Sequence, residues 1–292
     1  MSLDQKEVDR SAKQQQAYWN GDMGTNWVRF ESVLDEMLAP FTEILLQQLS
    51  EPKPNNVLDI GCGFGSLTVA VYDYLNGGEE QPISGCIGLD ISAPMVELAR
   101  ANSTISNQNL NYICADGAVY DFGQTKFDFI VSRFGVMFFA DPVIAFANLY
   151  KAANTNARLA FIAWRGPQEN DFMTVAPRIL ADYVESTPPP VGYQPGPFSF
   201  ADNVWTSEQL AKAGWSKITF QALDVPCRFN ADSLHAYTNE MMRLGPDFEK
   251  LSKTVQSEVL AKIHDAHLAM VQDDALRFTA RVWLVTACKQ SA

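Results

Sequence analysis

Short apolar runs alternate with amphipathic stretches through the middle of the chain. The runs with the length and composition of buried strands are Asn56–Ile60, Cys86–Asp90, Leu110–Cys114, Phe127–Ser132 and Leu159–Trp164. Helical periodicity marks Ser66–Leu75, Ala93–Asn102 and Pro142–Ala153, with Asn154–Asn156 as a helix stop. This order predicts an α/β fold with a doubly wound, mostly parallel sheet and helices on both faces.

The stretches on either side of this pattern are less regular. Residues 5–50 have mostly helical composition, with the polar Gly21–Asn26 as a break. The segment that follows the pattern cannot be a central strand, because it contains Pro188–Pro190, Pro195 and Pro197, and proline has no N–H to donate to a neighbouring strand. We therefore expect that segment to leave the sheet.

The C-terminal part has a strand at each end of a helical insertion. Trp205–Gly214 is predicted as a helix capped by Thr206–Ser207. Lys217–Leu223 and Leu276–Cys288 alternate in strand fashion on either side of residues 231–272, which are mostly helical by composition. We expect these two strands to pair antiparallel.

The length of 292 residues exceeds that of a usual single core, and we expect one domain with added helices. The predicted segments are an N-terminal helical cap at 1–50, a cofactor-binding core at 51–165, a proline-rich insertion at 166–204 and the C-terminal part of the sheet at 205–292, which contains a helical insertion at 231–275. The oligomeric state cannot be predicted from these patterns.

Charge and hydropathy exclude several classes of function. The net charge of −12 repels phosphate backbones, so nucleic acid is not an expected partner. Apolar runs stay below the roughly 18 residues of a membrane span, and the first ten residues lack a signal-peptide pattern. A cytoplasmic location is expected. The cysteines have no metal-type spacing, so no metal site is predicted.

One segment carries most of the functional information. Residues 57–65 read VLDIGCGFG, a buried strand that runs into a glycine-spaced turn ahead of a helix. Glycine removes the side chains that would keep a ligand from the backbone, and it adopts conformations that other residues resist. The segment indicates a loop that binds a nucleotide-type cofactor.

Further motifs follow this loop in a fixed order: GLDIS with SAPMVELARA, YICADGAVYDF, FDFIVSRFGVMFFADP and RLAFIAWR. Together they resemble the class I S-adenosylmethionine-dependent methyltransferases, most closely the small-molecule branch that includes the methyltransferase type 11 and ubiquinone and menaquinone C-methyltransferases. The resemblance covers about residues 55–165. It implies a seven-stranded Rossmann-like sheet whose last strand is antiparallel, and a transferase in which S-adenosylmethionine is converted to S-adenosylhomocysteine.

The resemblance implies a cofactor site that contains Asp59, Gly61, Cys62, Gly63, Gly65, Asp90, Ile91, Met95, Asp116, Gly117, Ala118 and Arg133. In this interpretation Asp59 faces the amino end of the ligand, and the loop amides from Gly61 to Gly65 face its carboxylate and sulfonium region. Asp90 would accept hydrogen bonds from both ribose hydroxyls.

The adenine end would involve the later motifs. Asp116 would accept from the exocyclic amine, and the amides of Gly117 and Ala118 would meet ring nitrogens. Met95 would cover the adenine face, and Arg133 would lie at the carboxyl edge of the sheet, where ligands of such sheets bind.

Each of these residues also has a plain structural interpretation. The glycines can form an ordinary tight turn with Cys62 as a small filler, and Met95 can be a core residue. Asp90 can cap the following helix, although Ser92 suits that position better. Asp116 can cap residues 118–120, and Arg133 can form an ordinary ion pair.

Methyl transfer needs positioning of the acceptor and exclusion of water, whereas a general base is optional. His264 and His267 share a helix face and could act on an acceptor or bind metal, but a solvated pair explains them as well, so the catalytic residues stay unknown. Tyr18, Trp19 and Trp27 are candidates for the substrate pocket. Aromatic residues of the proline-rich insertion, Tyr183, Tyr193 and Phe198, could add to it.

The predicted reaction is in-line transfer of a methyl group to an oxygen, nitrogen or carbon of a small molecule. Residues 132–135, Ser-Arg-Phe-Gly, lack the Asp/Asn-Pro-Pro-Tyr/Phe motif that the resemblance associates with methylation of nucleic-acid bases. Two alternatives remain: an NAD(P)-dependent Rossmann oxidoreductase, although Ser66 departs from its glycine spacing, and a non-catalytic S-adenosylmethionine-binding module.

Overall fold

The computed structural model describes residues 5–77, 85–103, 109–185, 192–241 and 244–290. Its helices are α1 (Gln5–Asn20), α2 (Asp22–Arg29), α3 (Glu31–Gln47), α4 (Ser66–Asn76), α5 (Ala93–Asn102), α6 (Pro142–Ala152), α7 (Asp171–Leu180), α8 (Asn203–Lys212), α9 (Leu234–Ala236), α10 (Pro246–Glu249) and α11 (Lys253–Leu268). Its strands are β1 (Asn56–Ile60), β2 (Gly85–Asp90), β3 (Leu110–Cys114), β4 (Phe127–Arg133), β5 (Ala153–Trp164), β6 (Ser216–Asn230), β7 (Val271–Gln272) and β8 (Ala275–Cys288).

The strands form one sheet in the order β3-β2-β1-β4-β5-β8-β6. The first five are mutually parallel, and β8 runs antiparallel to both β5 and β6. This confirms the predicted doubly wound α/β fold with an antiparallel last strand. The short β7 forms a hairpin with β8 through Asp273 and Asp274, whose φ angles of 49° and 59° suit a two-residue turn.

Most predicted elements of the central part form at or within a residue of their predicted ends. The exception is β5, which begins at Ala153 rather than at Leu159, so Asn154–Asn156 belongs to the strand. Asn156 nevertheless has a left-handed φ of 63°, beside an irregularity in the β4–β5 register. The conformation expected of this asparagine is present, but it bends a strand instead of ending a helix.

The boundaries of two helical segments outside the central part were predicted wrongly. Gly21 alone separates α1 from α2, so the predicted break at Gly21–Asn26 is mostly helix. Helix α8 begins two residues early, because Asp202 caps it by accepting hydrogen bonds from the amides of Val204 and Trp205. Thr206–Ser207 therefore lies inside the helix.

The covering segments pack on the sheet through a continuous hydrophobic core. That core includes residues of α1 to α3 as well as of every long strand. A smaller cluster, made by Ala176, Leu180, Val259 and Ile263, joins α7 to α11. Residues 231–272 are helical in pieces, including a π-helical turn at Tyr237–Met241. Pro188–Pro190 lies outside the described residues, and the four segment boundaries stay predictions.

Candidate functional site

A cavity of about 320 Å³ lies at the carboxyl edge of the parallel strands. Its floor contains Ile60, Asp90 and Arg133, the last residues of β1, β2 and β4. Its cover comes from α1 to α3, from the β4–α6 connection and from the π-helical turn. The carboxyl edge of a doubly wound sheet is where such folds bind ligands, so the location agrees with the predicted site.

The glycine loop is held by close backbone packing. Gly61 has a φ of 68°, and a Cβ on it would lie 2.5 Å from the Cα of Gly135 in the loop after β4. Ser132 joins the same two loops, because its hydroxyl donates to the carbonyl of Ile60 at 2.7 Å and accepts from the amide of Gly135 at 3.2 Å. Only glycine at both contact positions permits this approach.

The amides of the three loop glycines make hydrogen bonds within the protein. The amide of Gly61 donates to the carbonyl of Leu89 at 2.8 Å, and that of Gly65 donates to the carbonyl of Cys62 at 2.9 Å. The amide of Gly63 donates to Oδ2 of Asp90 at 2.8 Å. Because these three donors already have partners in the protein, the predicted contact with an anionic group has no support at the three glycines. The glycines serve the site by removing side chains.

Gly63 is the loop position that opens toward the cavity. It lines the cavity wall, and a Cβ on it would meet one heavy atom within 4 Å, the sulfur of Met95 at 3.7 Å. Gly65 differs, because a Cβ there would lie 2.6 Å from the hydroxyl of Tyr112. Gly63 thus leaves space for a ligand, whereas Gly65 leaves space for the protein's own core.

Asp90 is the acidic residue of the cavity that is best placed to accept hydrogen bonds from a ligand. Its Oδ2 accepts from Gly63, and its Oδ1 accepts from the amide of Ser92 at 2.8 Å. Burial raises the pKa of Asp90, while the amide hydrogen bonds oppose that rise. Each carboxylate oxygen can accept more than one hydrogen bond, so the side chain keeps capacity for ligand hydroxyls while it holds the glycine loop.

Helix α5 is capped from α1 and not by Ser92, which corrects the expectation for that residue. The Ser92 hydroxyl donates to the carbonyl of Trp19 at 2.7 Å. Asn20 accepts from the amide of Ala93 at 2.9 Å and donates to the carbonyl of Ile91 at 2.9 Å. These hydrogen bonds attach the end of α1 to the loop that directly follows Asp90.

Asp59 and Cys62 lie behind the loop and do not line the cavity. Oδ2 of Asp59 accepts from the hydroxyl of Thr68 in α4 at 2.7 Å, and its Oδ1 has no partner within the described chain. Burial raises the pKa of Asp59 to about 7. The expectation that Asp59 faces the ligand is contradicted. Burial also raises the pKa of the Cys62 thiol, which supports the filler interpretation.

Asp116 and Gly117 line the cavity together with Ile91 and Met95, as predicted for the adenine end. Oδ1 of Asp116 accepts from the amide of Ala118 at 2.9 Å, which is the capping interaction weighed as the alternative. That amide is therefore not available to a ring nitrogen, and Ala118 does not line the wall. The second carboxylate oxygen makes no hydrogen bond to the described residues and can accept from a ligand.

Arg133 lies at the far end of the floor from Asp116, and its side chain is 8% exposed. Nη1 donates to the Thr42 hydroxyl at 2.8 Å, and Nη2 donates to the Ser66 hydroxyl at 2.8 Å. Its acidic partner Asp35 is 3.7 Å away and 44% exposed. Burial lowers the pKa of the guanidinium, and Asp35 opposes that shift. The contacts hold a buried cation beside the cavity, and its ion-pair partner Asp35 is partly exposed, so the guanidinium can also bind a carboxylate ligand.

The aromatic cover agrees in part with the prediction. Tyr18, Trp19 and Trp27 all line the cavity, and Trp19 makes edge-to-face contacts with both others and with Phe138. The aromatic residues expected from the proline-rich insertion do not line it: Tyr183, Tyr193 and Phe198. Tyr193 instead stacks on Trp205 at 5.1 Å. From the insertion at 166–204, it is Met173 and Pro197 that line the cavity.

Several wall residues carry no sequence signal that marks them for this position. Phe134 follows Arg133 with a φ of 65°, unusual for a bulky residue, and stacks on Trp164 at 4.7 Å. Tyr237 and Met241 come from the π-helical turn, far along the chain from the sheet edge. Long-range packing alone brings these side chains to the cavity.

The two candidate catalytic histidines do not line the cavity. His267 is fully buried in α11, with Nδ1 at 2.9 Å from the carbonyl of Ile263, and burial lowers its pKa. His264 lies next to His235, with ring centroids 5.8 Å apart. The structure therefore contradicts both the catalytic role and the solvated pair for His267.

The described residues contain neither a metal-type cluster nor a membrane-spanning helix. No group of three or more histidine, cysteine or acidic side chains there could hold a metal ion. Within the same residues, every helix falls short of the length and hydropathy needed to cross a bilayer.

Part of this chain is similar to known methyltransferases. Residues 57–156 match the family described as a methyltransferase domain. The demethylmenaquinone methyltransferase of Thermus thermophilus is 26% identical over 122 residues, which are 42% of this chain and 53% of that protein. A malonyl-[acyl-carrier protein] O-methyltransferase of Anoxybacillus flavithermus is 25% identical over 157 residues, 54% of each protein. The matches thus span about half the length of these relatives.

Among solved structures, the Haemonchus contortus phosphoethanolamine N-methyltransferase 2 in complex with S-adenosyl-L-methionine aligns with a TM-score of 0.56 at 15% identity. The alignment covers 95% of this chain and 60% of that one, and it shows a shared fold. Residues 57–156 are therefore similar to the methyltransferase domain of S-adenosylmethionine-dependent enzymes, and the chain shares the fold of an S-adenosylmethionine-bound methyltransferase.

Proposed function

We propose that this protein transfers the methyl group of S-adenosylmethionine to an oxygen, nitrogen or carbon atom of a small molecule. One observation carries the proposal: Asp90, Asp116 and Arg133 line one cavity at the carboxyl edge of the sheet, beside the open position at Gly63. These groups match the polar parts of the cofactor, which has a ribose, an adenine amine and a carboxylate.

The three charged side chains would hold the cofactor in one orientation. Asp90 would accept from the ribose hydroxyls, and the unpaired oxygen of Asp116 would accept from the adenine amine. Arg133 would bind the carboxylate as a partly buried cation whose acidic neighbour is 3.7 Å away. Met95 and Ile91 line the wall beside Asp90 and would contact the adenosine.

The cofactor supplies an electrophilic methyl group on a positively charged sulfur that is its own leaving group. The protein's tasks are to orient the acceptor and to exclude water, and the aromatic cover over the cavity suits both. Neither His264 nor His267 lines the cavity, so we assign no general base among the described residues.

Calorimetry with S-adenosylmethionine and with NADH separates this proposal from an oxidoreductase. We expect binding of the first and none of the second. Tight NADH binding without S-adenosylmethionine binding would overturn the proposal. A non-catalytic binding module would bind S-adenosylmethionine, yet cells that carry Asp90→Ala would retain every methylated product of the wild type.

Replacing Gly63 by alanine is expected to weaken S-adenosylmethionine binding by about tenfold, or about 1.4 kcal/mol. The new methyl group would occupy ligand space, since only the Met95 sulfur is near it. Gly123→Ala is a matched control, because Gly123 has a φ of 57° against 56° for Gly63 and no atom within 4 Å of its Cβ position. Both variants should lose about 1–2 kcal/mol of stability, but calorimetry should show weaker binding only for Gly63→Ala. Equal affinities in the two variants would show that Gly63 is not beside the cofactor.

The N-terminal helices are proposed to act as a lid over the cavity. Asn20 and Trp19 bond to the Ile91–Ala93 loop next to Asp90, so a ligand that orders this loop should also hold α1 in place. We expect slower proteolysis of residues 5–29 when S-adenosylmethionine is present, measured by mass spectrometry of the fragments. Unchanged cleavage rates would count against a lid.

A further inference from the structure

The part of the cavity beyond the proposed cofactor contacts is uncharged and mostly apolar, with Gln15 as a polar exception whose buried Oε1 makes no hydrogen bond to the described residues. Among the described residues that line the cavity, the charged side chains are Asp90, Asp116 and Arg133, all of them at the sheet edge. The methionines of the wall are Met23, Met37, Met95, Met137, Met173 and Met241. Methionine adapts to irregular apolar shapes, so this wall suits a hydrophobic ligand.

A phenolic hydroxyl also faces this mostly apolar region without a partner. Tyr237 lines the cavity, is 8% exposed, and its hydroxyl makes no hydrogen bond to any described residue. Burial raises the pKa of this phenol, so it is a neutral hydroxyl that can donate or accept a hydrogen bond. A partly buried hydroxyl that is unpaired in the protein is suited to a polar atom of a ligand.

The position of Tyr237 is firmly held. Its ring packs on Phe172 at 5.8 Å and on Phe229 at 5.2 Å. It begins the π-helical turn, a rare conformation that is frequent at functional sites. The turn is attached to α2, because Asn26 donates to the carbonyl of Glu240 at 2.8 Å and Arg29 forms an ion pair with the Glu240 carboxylate. The hydroxyl is therefore preorganised.

We propose that the methyl acceptor is an uncharged, largely apolar molecule with a hydroxyl or carbonyl oxygen, and that the Tyr237 hydroxyl positions it by a hydrogen bond to that oxygen. This inference rests on the proposed methyltransferase function. A charged acceptor is disfavoured, because its burial against this wall would leave an ion without a partner.

Binding of three bicyclic probes to the protein saturated with S-adenosylhomocysteine tests the inference. The probes are 2-naphthol, naphthalene, which lacks the hydroxyl, and 2-naphthoate, which is anionic. We expect the wild type to bind 2-naphthol about tenfold more tightly than naphthalene, the effect of one hydrogen bond of about 1.4 kcal/mol. The affinity for 2-naphthoate should be at least tenfold below that for 2-naphthol.

Tyr237→Phe should bind both neutral probes equally, with its naphthalene and S-adenosylhomocysteine affinities unchanged. Tyr193→Phe is the matched control, because Tyr193 is a partly buried tyrosine that does not line the cavity, and its hydroxyl donates to the carbonyl of Phe139 at 2.8 Å. It should retain the preference for 2-naphthol. A merely structural role of Tyr237 would change all affinities together.

Four results would overturn the inference: an unchanged naphthol preference in Tyr237→Phe, a lost preference in Tyr193→Phe, naphthoate binding as tight as naphthol binding, or no binding of the neutral probes to protein that binds S-adenosylhomocysteine. In each case the proposed methyltransferase function would stand. A wild type that fails to bind S-adenosylhomocysteine would overturn that function and this inference with it.

Discussion

Asp90→Asn is expected to weaken S-adenosylmethionine binding by about 10²- to 10⁴-fold. Two hydrogen bonds from ribose hydroxyls to a carboxylate contribute about 1.5–3 kcal/mol each. Asparagine also replaces one oxygen by an amide nitrogen, which would face the donating amide of Gly63 or Ser92. The variant thus loses ligand contacts and one bond that holds the glycine loop. Isothermal titration calorimetry measures the affinity.

Asp128→Asn is the matched control for this experiment. Oδ2 of Asp128 also accepts from two amides, those of Asn55 and Asn56, and its Oδ1 accepts from the side chain of Asn154. These contacts lie at the start of β1 and β4, at the opposite edge of the sheet from the cavity. Asp128→Asn should lower stability and leave the S-adenosylmethionine affinity unchanged. An affinity of Asp90→Asn within threefold of the wild type would remove Asp90 from the proposed cofactor site.

Asp59→Asn is expected to become more stable relative to the wild type as the pH rises. Burial raises the pKa of Asp59 from 3.8 to about 7, so the folded protein holds a proton that the unfolded chain releases. The wild type therefore loses stability between these pH values, by about 4 kcal/mol in total. Asparagine has no such ionisation and keeps an oxygen that can accept from Thr68.

Urea unfolding of both proteins at pH 4, 5, 6, 7 and 8, without cofactor, measures this difference. We compare the free energies of unfolding of the two proteins at each pH. The value for the variant minus that for the wild type should increase by about 1.4 kcal/mol for each pH unit between the two pKa values of Asp59, and it should level off above pH 7. Asp182→Asn removes a carboxylate from an exposed turn and should give a nearly flat difference. A flat profile for Asp59→Asn would show that its carboxyl group is not desolvated in the folded protein.

The cofactor side of the cavity was largely predictable from the chain. Asp90, Gly63 and Asp116 follow or adjoin strand ends, and the carboxyl ends of parallel strands meet at one edge. Local pattern therefore determines their location. Local pattern does not determine which way a side chain points. Asp59 precedes the loop by two residues, but its carboxylate points to Thr68 in α4.

Contacts between distant segments were not predictable in the same way. The cap of α5 comes from Asn20, which is 73 residues before Ala93, although Ser92 has the better local signal. His267 was placed on a helix face by its spacing, but that face packs on Phe172 and Tyr237 rather than on solvent. The spacing of residues along one helix cannot identify which other element packs on a given face of that helix.

The sequence by itself determined the strand and helix order, the glycine loop and the acids at the strand ends, because these depend on periodicity and on conformations set within a few residues. Only the tertiary structure decided which loop amides are already bonded, that Arg133 lies buried beside the cavity with Asp35 as its ion-pair partner, and that Tyr237 presents an unpaired hydroxyl to a mostly apolar wall. The physical reason is that burial and hydrogen-bond pairing are properties of all the elements around a group, and those elements come from distant parts of the chain.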